Sequence, residues 1–134
     1  MNTKRFVLAV VGAFIFIFVF EMLWHGFLMK GLYQATISIW RPQAETDMRL
    51  ILVSQFLFAT VMAYIYTLAG KHFPDSRGIT YGALIGLLFA TVDLGSYSYL
   101  PVPFSIVAMW MGASILKGLG AGIVIGLVYK EQTG

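Results

Sequence analysis

Four titratable side chains sit in stretches that are otherwise apolar: Glu21 and His25 in FVFEMLWHGFLM, Asp93 in ATVDLGSYS and Lys117 in ASILKGLG. A carboxylate and an imidazole four residues apart share one face of a helix. Together such groups can exchange protons, hold a small cation, or offer mixed nitrogen and oxygen donors to a metal. A lone charge in the middle of an apolar span costs about 2.5–3.5 kcal/mol on insertion scales, so three of them must offset one another or face a hydrated cavity. Lys117 is the available counter-charge, for either Asp93 or Glu21. The carboxylate left over must be protonated, paired with His25, or bound to something else.

The elements that hold these groups can be read from composition. The chain has 134 residues, of which 59% are hydrophobic and 11% charged, with a mean hydropathy of +0.82. Soluble domains approach about 25% charged residues, so this is a membrane chain. About 20 apolar residues cross a hydrocarbon core, which leaves room for four spans. They are expected at residues 6–29, 50–70, 79–100 and 104–129, in a single transmembrane domain over 1–134. The fold class is all-α, an integral membrane four-helix bundle with short connections and one interfacial loop or helix. Segments this long are not the short alternating strands of a barrel. The basic start and the apolar run after it also fit a signal peptide, but no small-x-small cleavage site comes after its core, and a retained first span is expected.

Counting along each helix at about 1.5 Å per residue sets Glu21, Gln55, Asp93 and Lys117 at one depth, about 20 Å from the end that carries the termini. Every span contributes to this polar layer, in the outer half of the bilayer. His25 and Ser96 extend it toward the outer surface. The candidate ligand- or proton-binding residues are therefore Glu21, His25, Gln55, Asp93, Ser96 and Lys117. FVFEMLWHG and ATVDLGSYS each place an acid at the same point of a hairpin's first helix, a hint of a duplicated two-helix unit.

Gly78, Gly82 and Gly86 recur every fourth residue in the third span, as do Ser114, Gly118, Gly122 and Gly126 in the fourth. Small residues at this spacing let helix backbones approach closely. LPVPF turns one span into the next, so these two are expected to pack as an antiparallel hairpin. In the long first connection Tyr33, Ile37 and Trp40 have helical spacing and are expected on an amphipathic segment lying flat at the interface. Tyr64, Tyr66, Tyr81 and Tyr129 are expected to mark the inner interface, and Trp40, Tyr97 and Tyr99 the outer one. Lys4, Arg5, Lys71, Arg77 and Lys130 on one side outnumber Lys30, Arg41 and Arg49 on the other, which favours cytoplasmic termini.

The basic residues form no stripe, so nucleic acid is not expected as a partner. Cysteine is absent, which removes thiolate chemistry. No nucleophile elbow, HExxH motif, phosphate loop or haem-attachment motif is present, so no catalytic residue is assigned and an enzyme is the lesser expectation. Metal ligands would come from Glu21, His25 and Asp93, although one imidazole without thiolates makes a poor structural zinc site. No cofactor is identified.

LWHGFLMKGLY at the end of the first span and YGALIGLLF at the start of the third resemble the small four-span bacterial membrane proteins grouped as a domain of unknown function. The resemblance implies a bacterial inner-membrane location and a four-helix fold, and transfers no activity. The expected partners are the lipid bilayer, a small solute, proton or cation, and a second copy or larger membrane complex. The leading expectation is a membrane protein that binds or conducts such a solute or ion at the polar layer. The alternatives are an accessory or scaffolding subunit, and a lipid- or quinone-modifying enzyme.

Overall fold

The computed structural model describes residues 1–75 and 77–130. Its α-helices, in chain order, are α1 (Thr3–Leu23), α2 (Lys30–Ala35), α3 (Met48–Ala69), α4 (Ile79–Ser96) and α5 (Phe104–Val128), with no strand among the described residues. Four helical stretches are long and apolar enough to cross a membrane: Thr3–Leu28, Met48–His72, Ile79–Ser96 and Phe104–Val128. The protein is an all-α four-helix bundle of the integral membrane class. Its outer surface agrees: Val11, Ile15, Leu57, Val61, Leu88 and Val92 are all exposed, a belt of apolar side chains that water would penalise and lipid accepts.

The helix starts have local causes. Asn2 caps α1 by accepting the Arg5 N–H at 3.0 Å, and the Asp47 carboxylate caps α3 by accepting the N–H groups of Arg49 and Leu50. At α4 the chain enters through Gly78 in the left-handed region, φ +74°, where a side chain would be strained. The Asp75 carboxylate there accepts N–H bonds from Arg77, Ile79 and Thr80. Pro103, whose ring fixes φ, sets the turn into α5.

Among the spans, α5 packs against α4 and α1 and touches α3, while α1 also packs on α3. The α4–α5 contact is backbone against backbone: a Cβ placed on Gly122 would lie 2.5 Å from the Gly82 Cα, and one on Gly118 2.5 Å from the Gly86 Cα. Ala9, Ala13 and Ile17 of α1 meet Ala59, Met62 and Ala63 of α3 and Ala121 and Ile125 of α5 in the core. The start of α1 and the residues just after α5 meet at one end of the bundle, where the Asn2 N–H donates to the Tyr129 hydroxyl at 3.2 Å and the Arg5 guanidinium to the Lys130 carbonyl at 2.7 Å.

Three local expectations change. The fourth-residue pattern of Tyr33, Ile37 and Trp40 is not one flat helix: α2 stops at Ala35, and single turns of 3-10 helix come next at Ile37–Ile39 and Gln43–Glu45. The backbone leaves the helix at Thr36 (φ −120°, ψ 24°), whose hydroxyl bonds back to the Leu32 carbonyl and receives the Trp40 indole N–H, and Ile37 is 72% exposed. Of the four tyrosines expected at the inner interface only Tyr64 is exposed; Tyr66, Tyr81 and Tyr129 are buried, and Tyr81 finds a partner for its hydroxyl in the Met62 carbonyl. Finally, α4 ends at Ser96 rather than Leu100, in a run of turn hydrogen bonds from Tyr97, Ser98 and Tyr99.

Candidate functional site

Glu21 and His25 project from the last turns of the first span, one helical turn apart, and the His25 Nε2 lies 3.0 Å from the Glu21 Oε2. Lys117 of α5 comes across to the other carboxylate oxygen, Nζ to Oε1 2.8 Å, with the two side chains 21% and 18% exposed. The ammonium also lies 5.4 Å from the Phe58 ring centroid on α3, a cation–π distance. Of the two carboxylates open to it, Lys117 thus pairs with Glu21.

Immediately after Glu21 the helix widens. The Met29 N–H reaches back five residues to the Trp24 carbonyl at 2.9 Å, and Trp24–Leu28 form a single wide turn. Such turns insert one residue into a helix and re-aim the residues beyond them; they recur at functional sites. Here the Trp24 indole N–H is tied to the Met109 carbonyl of α5 at 3.1 Å, and α2 is turned so that Tyr33 meets His25. The Tyr33 hydroxyl lies 2.7 Å from the His25 Nδ1, receives the Trp110 indole N–H at 2.8 Å, and lies 3.5 Å from the Met29 sulfur. Burial pushes the Tyr33 phenol above its ordinary value of 10.0, so at neutral pH it is a neutral donor and acceptor.

This set of partners closes for both protonation states of His25. With a neutral imidazole, Nε2–H donates to Glu21 and Nδ1 accepts the Tyr33 proton. With an imidazolium, Nδ1–H donates to the Tyr33 oxygen, and the phenol proton turns to the Met29 sulfur. Trp110 donates to Tyr33 in either case.

Asp93 of α4 lines the same cleft. Its carboxylate accepts the Ser114 hydroxyl from α5, and it forms no ion pair among the described residues. Glu21, His25, Asp93, Trp110, Ser114 and Lys117, with Ala113, surround a space of about 230 Å³. Lys117 pairs with Glu21, so no cationic side chain among the described residues is paired with Asp93.

Two of the six candidate residues stand apart. Gln55 does not line the cleft, and its side-chain oxygen is buried without a hydrogen-bond partner among the described residues. The Ser96 hydroxyl turns back to the Asp93 main-chain carbonyl at 2.6 Å. As for metal, no group of three or more His, Asp or Glu side chains among the described residues is close enough to hold an ion. Glu21, His25 and Asp93 share the cleft without converging on one point. Tyr33, Trp110 and Ser114 are members that sequence alone does not bring here. Ser114 reads as a small residue of the packing ridge and Tyr33 as part of an interfacial stripe; Trp110 and Ser114, seven and three residues before Lys117 and so on its helix face, are the available signal. No protein-family model, curated protein or solved structure matches the chain.

Proposed function

We propose that this integral membrane protein binds a proton in exchange for a small cationic solute at the cleft between α1, α4 and α5. The observation that supports it is the hydrogen-bond set around His25, which is complete in both protonation states and shares a cleft with a carboxylate that has no cationic partner among the described residues. A cation at Asp93 and a proton on His25 would place two positive charges in one cleft, so proton and cation compete through charge. Glu21 orients the imidazole and holds Lys117, Tyr33 relays toward the connection at the end opposite the termini, and Asp93 supplies the cation-binding charge. The even number of spans and the five-to-three bias of Lys and Arg support cytoplasmic termini, and the layout resembling small four-span bacterial proteins supports an inner-membrane setting.

The test is proton flux and radiolabelled monovalent-cation uptake in proteoliposomes, across a pH gradient. Glu21→Gln, His25→Gln and Asp93→Asn each remove the pH-dependent component while circular dichroism stays helical. If all three match wild type, the cleft has no such role. Purification in mild detergent separates this reading from an accessory subunit, because a defined heteromeric partner retained at fixed stoichiometry favours the latter.

A further inference from the structure

A second cleft, at the opposite end of the bundle from Glu21, is built from three chain segments that meet where the termini are tied together. Arg5 comes from the first turns of α1, Lys71 from the turn that ends the second span, and Tyr129 and Lys130 from the end of α5; the space between them is about 470 Å³. Pockets of about 300–1,000 Å³ are of ligand size. Among the described residues no acidic side chain lines this one, and none forms an ion pair with Arg5, Lys71 or Lys130. The Arg5 guanidinium is held in place by the Lys130 carbonyl at 2.7 Å, through one of its donors only. Tyr129 is 8% exposed, and its hydroxyl accepts the Asn2 N–H, so its own proton is available to the cleft.

The surroundings grade from cationic to apolar. One helical turn inward from Arg5 is Leu8, and one inward from Lys71 is Leu68; both face outward and are more than half exposed. A molecule with an anionic phosphate and an apolar tail matches that order of surfaces at the end of three membrane-spanning helices.

We propose that this cleft binds the phosphate of an anionic lipid headgroup, with Arg5, Lys71 and Lys130 as its cationic contacts and the Tyr129 hydroxyl as a neutral donor. The site is independent of the proton- and cation-binding cleft, and its binding does not require Glu21, His25 or Asp93.

The test is native mass spectrometry of the full chain in detergent, titrated with phosphatidylglycerol and separately with phosphatidylcholine, whose headgroup has no net charge. Wild type retains phosphatidylglycerol preferentially. Each lost cation weakens that binding about fivefold, and Arg5→Gln/Lys71→Gln/Lys130→Gln together about a hundredfold. Arg49→Gln, at the far end of α3, leaves it unchanged. Lys71→Gln alone, with helical content checked by circular dichroism, serves where the triple variant does not fold. A parallel thermal-shift titration with inorganic phosphate separates the sources: no shift assigns the site to lipid, while a millimolar shift lost in the triple variant assigns the same phosphate-binding chemistry to a soluble anion. Equal retention of the two lipids, or phosphatidylglycerol binding unchanged in the triple variant, overturns the proposal.

Discussion

Lys117 is the residue on which the charge of the central cleft turns. Its ammonium is 2.8 Å from Glu21 and over the Phe58 ring, so Lys117→Met leaves Glu21 with only His25 beside it. Breaking a buried pair by removing one partner costs about 3 kcal/mol, whereas removing both charges together is much cheaper. Lys117→Met is therefore expected to unfold earlier in a detergent titration by about that amount, and Glu21→Gln/Lys117→Met to recover most of the loss. Equal destabilisation by the single and double variants would contradict the pairing. Tyr33→Phe is a second probe, since it strands the Trp110 indole N–H and the His25 Nδ1 at once; unpaired buried groups cost about 1–3 kcal/mol each. Its loss is read in the same titration. Glu21, His25, Asp93 and Lys117 are legible in the sequence because a charge among apolar residues is conspicuous whatever its rotation about the helix. Gln55 shows where that logic stops: counting residues gives depth but not azimuth, and Gln55 shares the depth without lining the cleft. Tyr33 is illegible because the wide turn at Trp24–Leu28 breaks the 3.6-residue period that would relate it to His25.

At the level of elements, the glycines of α4 divide by what faces them, and substitution separates the two kinds. A Cβ on Gly86 would meet the Ser114 carbonyl oxygen at 2.7 Å, whereas one on Gly95 meets nothing within 4 Å. Gly86→Ala must push the α4 and α5 backbones apart and is expected to destabilise by about 1–3 kcal/mol. Gly95→Ala only restricts the unfolded chain and adds helix propensity, for a gain of about 0.5–1 kcal/mol. Thermal unfolding of the two variants side by side reads the difference in sign. The fourth-residue spacing of small residues is visible in the sequence, since it is a periodic pattern on a regular helix; Gly95, nine residues after Gly86, falls on the opposite side of α4 and outside that pattern. The start of α4 carries a pH dependence of its own. Hydrogen bonds from the Thr80 side chain and backbone, and from the Ile79 and Arg77 backbones, hold the Asp75 carboxyl down at about 2 against an ordinary 3.8. The folded chain thus takes up this proton less readily than the unfolded one. Stabilisation by Asp75 is complete above 3.8 and fades as pH falls toward 2. Asp75→Ala, losing these bonds, is expected to lower stability at neutral pH and to flatten the acid limb of the stability curve over that window, measured by thermal unfolding across pH.

On the scale of the whole molecule, four membrane-length helices and two joined termini make orientation a single binary question. The Arg5–Lys130 and Asn2–Tyr129 contacts require both ends of the chain on one side of the bilayer. Arg5, Lys71 and Lys130 lie around one cleft at that end, so the positive charges that bias insertion are gathered there, against Lys30, Arg41 and Arg49 at the other. Positively charged loops are retained on the cytoplasmic side. Reporter fusions that are active only after export, placed at each terminus and in the connection near Gln43, are expected to be silent at both ends and active in the connection. Moving the bias tests the cause: Lys4→Gln and Lys71→Gln combined with Gln34→Lys and Gln43→Lys shift the excess of Lys and Arg to the opposite side. That variant is expected to give both signals or the reversed pattern. The phosphate-binding cleft would then face the outside and the His25 cleft the cytoplasm, reversing the direction of any pH-dependent uptake measured in sealed vesicles. An N terminus and a C terminus reporting from opposite sides in the unaltered chain would contradict the bundle itself, because the contacts that join them cannot form across a membrane.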